Sequence, residues 1–100
     1  MTDNNCTAYK TKVKERLKKF ALEILMVSDE LPKTTKGKII NYQLTKSGTS
    51  AYANYRAALR GRSKKEFFSK LCISVEEMDE SEMWIDLIKA SRLLNSEIMD

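Results

Sequence analysis

Residues 47–65 read SGTSAYANYRAALRGRSKK, a small polar start followed by a basic end. The cations of the basic end are Arg56, Arg60, Arg62, Lys64 and Lys65. A glycine among hydroxyl side chains, followed by bases, is compatible with a loop that binds phosphate. It is equally compatible with a closely packed helix face that has a basic rim. The first structure would indicate a nucleotide enzyme, and the second a binding or scaffold protein.

The spacing around this stretch favours the helix. Small or apolar residues recur every three or four positions, at Ile40, Leu44, Ser47, Ala51, Tyr55 and Ala58. Gly48 in the middle of a helix costs about 1 kcal/mol relative to alanine, so we expect it to have a packing reason. A Walker loop needs the pattern GxxxxGK[ST] between a strand and a helix, and neither the pattern nor a strand is found here. The residues predicted to let a neighbouring helix lie close are Ser47, Gly48, Ser50, Ala51 and Asn54, the last of them hydrogen-bonded.

Two more helices are predicted on either side of this one. The first covers about residues 9–31 and is ended by Pro32, because a proline ring cannot continue the helical hydrogen-bond ladder. Its apolar face consists of Val13, Leu17, Phe20, Ile24, Val27 and Leu31. The second helix covers about 38–60 after a loop at 32–37, with Gly61 as a left-handed cap. The third, about 64–94, begins at the capping box Ser63–Glu66.

Length and helix content predict the fold class. One hundred residues suit one domain, and the 3 glycines and 1 proline leave few turns for an all-β fold. We therefore predict an all-α, antiparallel up-and-down helical bundle with three long helices. Residues 1–8 are expected to be disordered or loosely ordered. No segment approaches the roughly 20 apolar residues of a membrane span, and no signal peptide is recognisable, so the expected location is cytoplasmic.

The residues that usually carry out catalysis are scarce. There is no histidine, which removes the usual general base, the usual metal ligand and every Ser-His or Cys-His arrangement. Cys6 and Cys72 lie far apart and are expected to be free thiols in a reducing compartment. No cofactor and no small-molecule substrate are predicted, and an enzyme is the least favoured of the functional classes.

Charge is distributed unevenly along the chain. Residues 1–70 contain 16 Lys and Arg against 6 Asp and Glu, a net charge of +10, whereas residues 71–100 contain 2 against 8, a net charge of −6. Such a polarised subunit can bind a polyanion or can dock acid to base between copies. A further basic run on the first helix is compatible with phosphate binding or with a solvated face: Lys10, Lys12, Lys14, Arg16, Lys18 and Lys19.

The acidic and aromatic residues also have alternatives. The carboxylates at 76, 79 or 80, and 82 or 86 share a helix face and could hold metals in a bundle, but the usual di-iron pattern includes histidine. Ionic pairing with Arg56, Arg60 or Lys46, or with a neighbouring subunit, is therefore favoured. Trp84 and the tyrosines could stack on bases, although their helical spacing favours packing against other apolar residues. We assign these residues to a structural set that is expected to pack the helices together: Glu77, Glu80 and Trp84, with Ser47, Gly48, Ser50, Ala51 and Asn54.

The sequence resembles the 23S ribosomal RNA intervening-sequence proteins, a family of small bacterial four-helix bundles. The resemblance covers roughly residues 10–95 and rests on Gln43, Lys46 to Ser50, Ala53-Asn54, Arg56, Arg60, Arg62, Ser63, Glu66-Phe67, Glu77, Glu80 and Trp84. Ala57 stands where many relatives have a glutamate. The resemblance implies an antiparallel bundle, with the fourth helix of the family short or absent in this chain. A stripe prepared for that helix would then be exposed unless another chain covers it.

The resemblance also implies an oligomer, since characterised relatives form ring-shaped homopentamers. A related accessory protein of diversity-generating retroelements is a basic barrel that binds a reverse transcriptase and nucleic acid. For most members no molecular function is settled. The leading hypothesis is thus a non-enzymatic homo-oligomeric scaffold that binds RNA, DNA or a nucleic-acid-processing protein. The alternative is an assembly module whose charges serve only to dock subunits.

Overall fold

Three α-helices joined by short turns make up the computed structural model, which describes residues 3–94. They are α1 (Asp3–Glu30), α2 (Thr35–Leu59) and α3 (Lys64–Ala90). The last turn of α1 meets the start of α2, and the end of α2 returns to the first half of α1, so consecutive helices are antiparallel. α2 packs against both α1 and α3 in a bundle of 51 × 23 × 18 Å. The predicted all-α bundle is confirmed.

All three helices contribute to the apolar core. Ile24 of α1 and Leu31, just after α1, meet Leu44 of α2 and Ile88 of α3, and each of these side chains is at most 4% exposed. Half-buried residues extend this cluster along the bundle: Phe20, Val27, Ile40, Trp84, Ile85, Leu93 and Leu94. The predicted apolar face of α1 therefore faces the core from Val13 to Leu31, as the spacing of three and four requires.

Small residues let α2 approach both of its neighbours. On the side of α3, the Ser47 and Ser81 hydroxyls are 2.8 Å apart, and the Ser74 hydroxyl donates to the Ala51 carbonyl at 2.7 Å. On the side of α1, a Cβ added to Gly48 would lie 3.0 Å from Ile24 Cγ1. The interpretation of SGTS as helix is confirmed, because Ser47 to Ser50 lie inside α2.

Two helix starts differ from the predictions. α1 begins at Asp3 instead of about residue 9, since Asp3 to Ala8 include no glycine or proline that would stop the helix. α2 begins at Thr35 instead of about residue 38. The Thr34 hydroxyl accepts a hydrogen bond from Gly37 N at 3.2 Å, which places Gly37 in the first turn and shortens the predicted 32–37 loop.

Gly61 does not adopt the predicted left-handed conformation, because no described glycine has a positive φ. The C-cap of α2 is Arg60, with φ −96° and ψ 5°. A Cβ on Gly61 would lie 3.0 Å from Phe67 N and 3.1 Å from the Ala58 carbonyl oxygen. Glycine is therefore explained here by the close approach of α3 and not by its backbone angles.

The C-terminal end of α3 lies at Ala90, before the predicted end at about residue 94. Arg92 has φ 55°, and its N–H donates to the Lys89 carbonyl at 3.2 Å, while Leu93 N donates to the Ile88 carbonyl at 3.1 Å. This pair of bonds is a Schellman motif, in which one left-handed residue ends the helix. Leu93 then folds back onto the core cluster.

Arg92→Gly is expected to stabilise the protein by roughly 0.5–1 kcal/mol, because glycine adopts the left-handed region without the steric penalty of a Cβ. Urea unfolding followed by circular dichroism measures the change. Arg92→Ala is the matched control, since it removes the same side chain and keeps the Cβ. Equal stabilisation by both variants would contradict the explanation that the gain comes from the left-handed backbone conformation at residue 92.

Candidate nucleic-acid interface

The antiparallel topology brings the first half of α1 to the turn between α2 and α3. The Tyr55 hydroxyl of α2 donates to the Lys10 carbonyl at 3.4 Å, which ties the two helices together. The Lys10 ammonium lies 5.1 Å from the centre of the Phe67 ring of α3, a cation–π contact. Two basic segments that are about fifty residues apart in the sequence thus meet at one end of the bundle.

A groove lies at this meeting point, and we call it the basic-end groove. It is a depression of about 480 Å³ lined by Lys10, Ala58, Leu59, Gly61, Arg62, Ser63, Lys64, Phe67 and Phe68. Three of these side chains are cations: Lys10 from α1, Arg62 from the turn and Lys64 from the first position of α3. Phe67 is half-buried, whereas Phe68 is 57% exposed and packs edge to face against it, with ring centres 5.4 Å apart.

Local hydrogen bonds shape the turn that carries the cations. The Ser63 hydroxyl accepts from Glu66 N at 3.1 Å, as the predicted capping box requires. The Glu66 carboxylate accepts from Arg62 N at 3.3 Å, one residue before the position that the motif usually uses. This bond holds the backbone of Arg62 against the first turn of α3, so the Arg62 side chain is presented from a fixed segment.

The remaining predicted cations do not gather in the groove. On α1, the four-residue spacing puts Lys10, Lys14 and Lys18 on one face, and Lys12, Arg16 and Lys19 on another. Arg16 and Lys19 line a separate groove of about 490 Å³, where α1 contributes Leu17 and Phe20 and α3 contributes Met78. Lys14 is half-buried. The other cations outside the two grooves are exposed: Lys12, Lys18, Arg56, Arg60 and Lys65.

The predicted structural set lies along the bundle, away from this end. Ser50 and Asn54 are half-buried, and Asn54 donates to the Ser50 carbonyl at 2.9 Å, which provides the expected hydrogen bond. The half-buried Trp84 packs against the core cluster and donates through Nε1 to the Glu80 carboxylate at 3.2 Å. The Glu77 carbonyl accepts from the Ser81 hydroxyl at 2.9 Å.

Phe68 is the residue whose part in the groove the sequence does not reveal. As an apolar residue of the third helix it is expected to pack inside the bundle, yet more than half of its surface is exposed beside Arg62 and Lys64. The one available signal is its position two residues after the capping box. A side chain so close to the start of a helix lies near the end of a bundle, where a neighbouring helix can leave it uncovered.

Tyr55 joins this end of the bundle to the core, and burial raises the pKa of its hydroxyl, with a smaller contribution from Tyr9. Because the folded state favours the neutral phenol, its contribution to stability is complete below about pH 10, the pKa of an unfolded tyrosine. That contribution is lost as the pH rises through the higher pKa of the folded state.

We therefore expect the free energy of unfolding of the wild type to fall more steeply than that of Tyr55→Phe as the pH rises above about 10. Urea unfolding at several pH values measures the difference. Tyr52→Phe, a half-exposed position on the same helix, is the control and should follow the wild type. Parallel curves for wild type and Tyr55→Phe would contradict the prediction.

Other chemistries have little support in the described part of the chain. Within residues 3–94, no three His, Cys, Asp or Glu side chains come together as metal ligands would. Cys6 and Cys72 are free and exposed. Over the same residues, the helices lack the combination of length and apolar character that is needed to cross a membrane.

Comparison with known proteins agrees with this architecture. Residues 9–100 match the family described as 23S rRNA-intervening sequence protein. The chain belongs to this family. The structure is similar to the crystal structure of a protein of unknown function from the S23 ribosomal protein family of Bacteroides thetaiotaomicron. The TM-score is 0.82, and the sequences are 30% identical over 90% of this chain and 80% of that one.

No curated protein matches the chain. The resemblance found in the sequence is thus confirmed at the level of the family and its fold. The description of the intervening-sequence protein family refers to 23S rRNA, and the neighbour is described as having unknown function. Neither description names an enzymatic reaction.

Proposed function

We propose that this intervening-sequence protein is a non-enzymatic, homo-oligomeric scaffold that binds nucleic acid, or a protein that processes nucleic acid, through its basic end. The observation that supports this most is the meeting of Lys10 with Arg62 and Lys64 around an exposed Phe68. The topology gathers these residues from two separate segments into one groove.

The chemistry of the groove suits a phosphate backbone with unpaired bases. Lysine and arginine neutralise phosphates and release counterions, a contribution to binding that depends on salt but not on sequence. An exposed aromatic ring beside cations adds a stacking platform, worth about 1–3 kcal/mol per base in proteins that bind single strands. Single-stranded RNA or DNA is therefore the favoured partner at the groove itself.

Exposed cations outside the groove extend the positive surface. Arg56 lies on α2 and Arg60 is its C-cap, whereas Lys65 follows the turn on α3. Arg56 lies 5.7 Å from the centre of the Tyr52 ring, which orients it on the helix. Such residues increase the rate of encounter with a polyanion and its weak affinity without fixing its position.

Self-association is the second part of the proposal, and exposed apolar side chains support it. Leu22 and Met26 on α1 are 53% and 70% exposed, Ile39 on α2 is 54% exposed, and Val75 on α3 is 61% exposed. Contact with other chains would remove these apolar groups, which are present on all three helices, from water. The homopentamers of characterised relatives make a pentamer the expected assembly.

Light scattering of the purified protein, followed by titration with labelled single-stranded RNA and duplex DNA at low salt, tests both parts. The proposal predicts an oligomer that binds both polymers and prefers the single strand. Undetectable binding of both RNA and DNA by the oligomer would refute the nucleic-acid part. A monomer at tens of micromolar would refute the scaffold part.

The alternative function is an assembly module whose charges dock subunits. It is favoured by the acidic third helix, where exposed Glu76, Asp79, Glu82 and Asp86 could meet the basic end of another copy. The double variant Arg60→Glu/Arg62→Glu distinguishes the two functions. Loss of the oligomer supports assembly, whereas an intact oligomer that no longer binds RNA supports the scaffold.

A further inference from the structure

Another concave site lies at the opposite end of the bundle, where α1 turns into α2. We call it the turn cavity. It has a volume of about 450 Å³, within the usual range of small-molecule sites. Its lining combines three lysines with polar and aromatic groups: Ser28, Leu31, Pro32, Lys33, Lys38, Asn41, Tyr42, Thr45 and Lys46.

The polar floor of the turn cavity is held rigidly. The side-chain oxygen Oδ1 of Asn41 accepts from the Ser28 hydroxyl at 2.7 Å and from the Thr45 hydroxyl at 3.2 Å. The side-chain amide nitrogen Nδ2 of Asn41 donates to the backbone carbonyl of Ser28 at 2.9 Å. The Ser28 backbone carbonyl can only accept a hydrogen bond, so its contact identifies the nitrogen end of the Asn41 side chain and directs the NH₂ group. An NH₂ group has two hydrogens, and this bond uses one of them.

The charge of the turn cavity is entirely positive. Its described lining contains Lys33, Lys38 and Lys46 and no carboxylate, since Asp29 and Glu30 lie outside it. The first turn of α2 contains no acidic residue either. Lysines near a helix N-terminus oppose the helix dipole and repel one another, so this arrangement costs stability unless an anion is present.

An aromatic ring stands at the rim of the cavity. Tyr42 is 64% exposed, and the Lys46 ammonium lies 5.9 Å from the centre of its ring. The lysine thus lies next to the exposed aromatic ring. A ligand with a phosphate and a planar ring would place the phosphate among the lysines and the ring on Tyr42.

From these contacts we infer that the turn cavity binds a mononucleotide, with its phosphate held by Lys33, Lys38 and Lys46 and its base stacked on Tyr42. The inference concerns binding alone, and no reaction of the nucleotide is part of it. The site is distinct from the basic-end groove, and neither site requires the other.

Isothermal titration of the purified protein with AMP, ribose 5-phosphate and adenosine at low salt tests this site. AMP is expected to bind saturably, ribose 5-phosphate about fivefold more weakly because the stacked base is missing, and adenosine at least about tenfold more weakly because the phosphate is missing. In nuclear magnetic resonance spectra, AMP should shift the amides of Asn41 and Thr45 and leave those of Arg62 and Lys64 unchanged.

The double variant Lys38→Gln/Lys46→Gln should weaken AMP binding at least about tenfold. Lys36→Gln/Lys70→Gln is the matched control, because it removes the same charge from exposed positions outside the cavity, and it should change the affinity less than twofold. The site is refuted if AMP does not bind saturably, if both double variants lose affinity equally, or if adenosine binds as well as AMP. Shifts that centre on Arg62 and Lys64 would also refute it.

Discussion

Ile88→Ala should lower the free energy of unfolding by about 2–5 kcal/mol, the largest loss of stability expected of any variant considered for this protein. Ile88 is completely buried where Ile24, Leu31 and Leu44 meet, so its truncation removes the apolar contacts of α3 with α1, its C-terminal turn and α2, and leaves a cavity. A domain of this size is stable by only about 5–15 kcal/mol, so the variant should be close to unfolding at 37 °C. Urea unfolding measures the loss.

Leu87→Ala is the matched control, because Leu87 is the adjacent aliphatic residue of the same helix and is 43% exposed. Its truncation should cost about 1 kcal/mol or less within the subunit. Comparable losses at the two positions would mean that α3 is rotated about its axis relative to the structure. Measurement at several protein concentrations separates this result from a role of Leu87 in subunit contacts.

Arg62→Glu/Lys64→Glu should lower the affinity for single-stranded RNA by about tenfold to a hundredfold at low salt. Two cations of the basic-end groove become anions, so two phosphate contacts are lost and are replaced by repulsion. Fluorescence anisotropy with a labelled RNA measures the affinity. Both side chains are exposed, so the free energy of unfolding should change little.

Lys36→Glu/Lys89→Glu is the control for net charge, since it changes the charge by the same amount at exposed positions away from the groove. Its affinity for RNA should remain within about threefold of the wild type, as expected for distant charges screened by salt. If both double variants lost affinity equally, binding would depend on overall charge, and the groove would have no special role.

The helical architecture follows from the sequence because its signals are local. The three-and-four spacing of apolar residues defines the buried face of α1, and Pro32 and Ser63 mark ends through their own backbone chemistry. The end of α3 was predicted wrongly because Arg92 adopts the left-handed conformation, which glycine usually marks. Gly61 differs from its prediction for the converse reason. A glycine is needed there because the backbone of Phe67 lies close to it, and the adjacent residues do not indicate this tertiary contact.

The candidate interface was predictable only in its composition. The sequence identifies two basic segments, but the pairing of Lys10 with Arg62 and Lys64 depends on how α1 lies against the α2–α3 turn. The basic run of α1 divides between two helix faces, so most of its members do not reach the groove. Phe68 looked like an ordinary apolar residue, because exposure at the end of a bundle is a tertiary property.

The salt dependence of single-stranded RNA binding tests the central claim most directly. If the basic-end groove neutralises about three phosphates, the logarithm of the binding constant should fall against the logarithm of salt concentration with a slope of about −2. In Arg62→Glu/Lys64→Glu the magnitude of this slope should decrease toward zero. Binding that is undetectable at low salt, or a slope that this double variant leaves unchanged, would contradict the assignment of nucleic-acid binding to this end of the bundle.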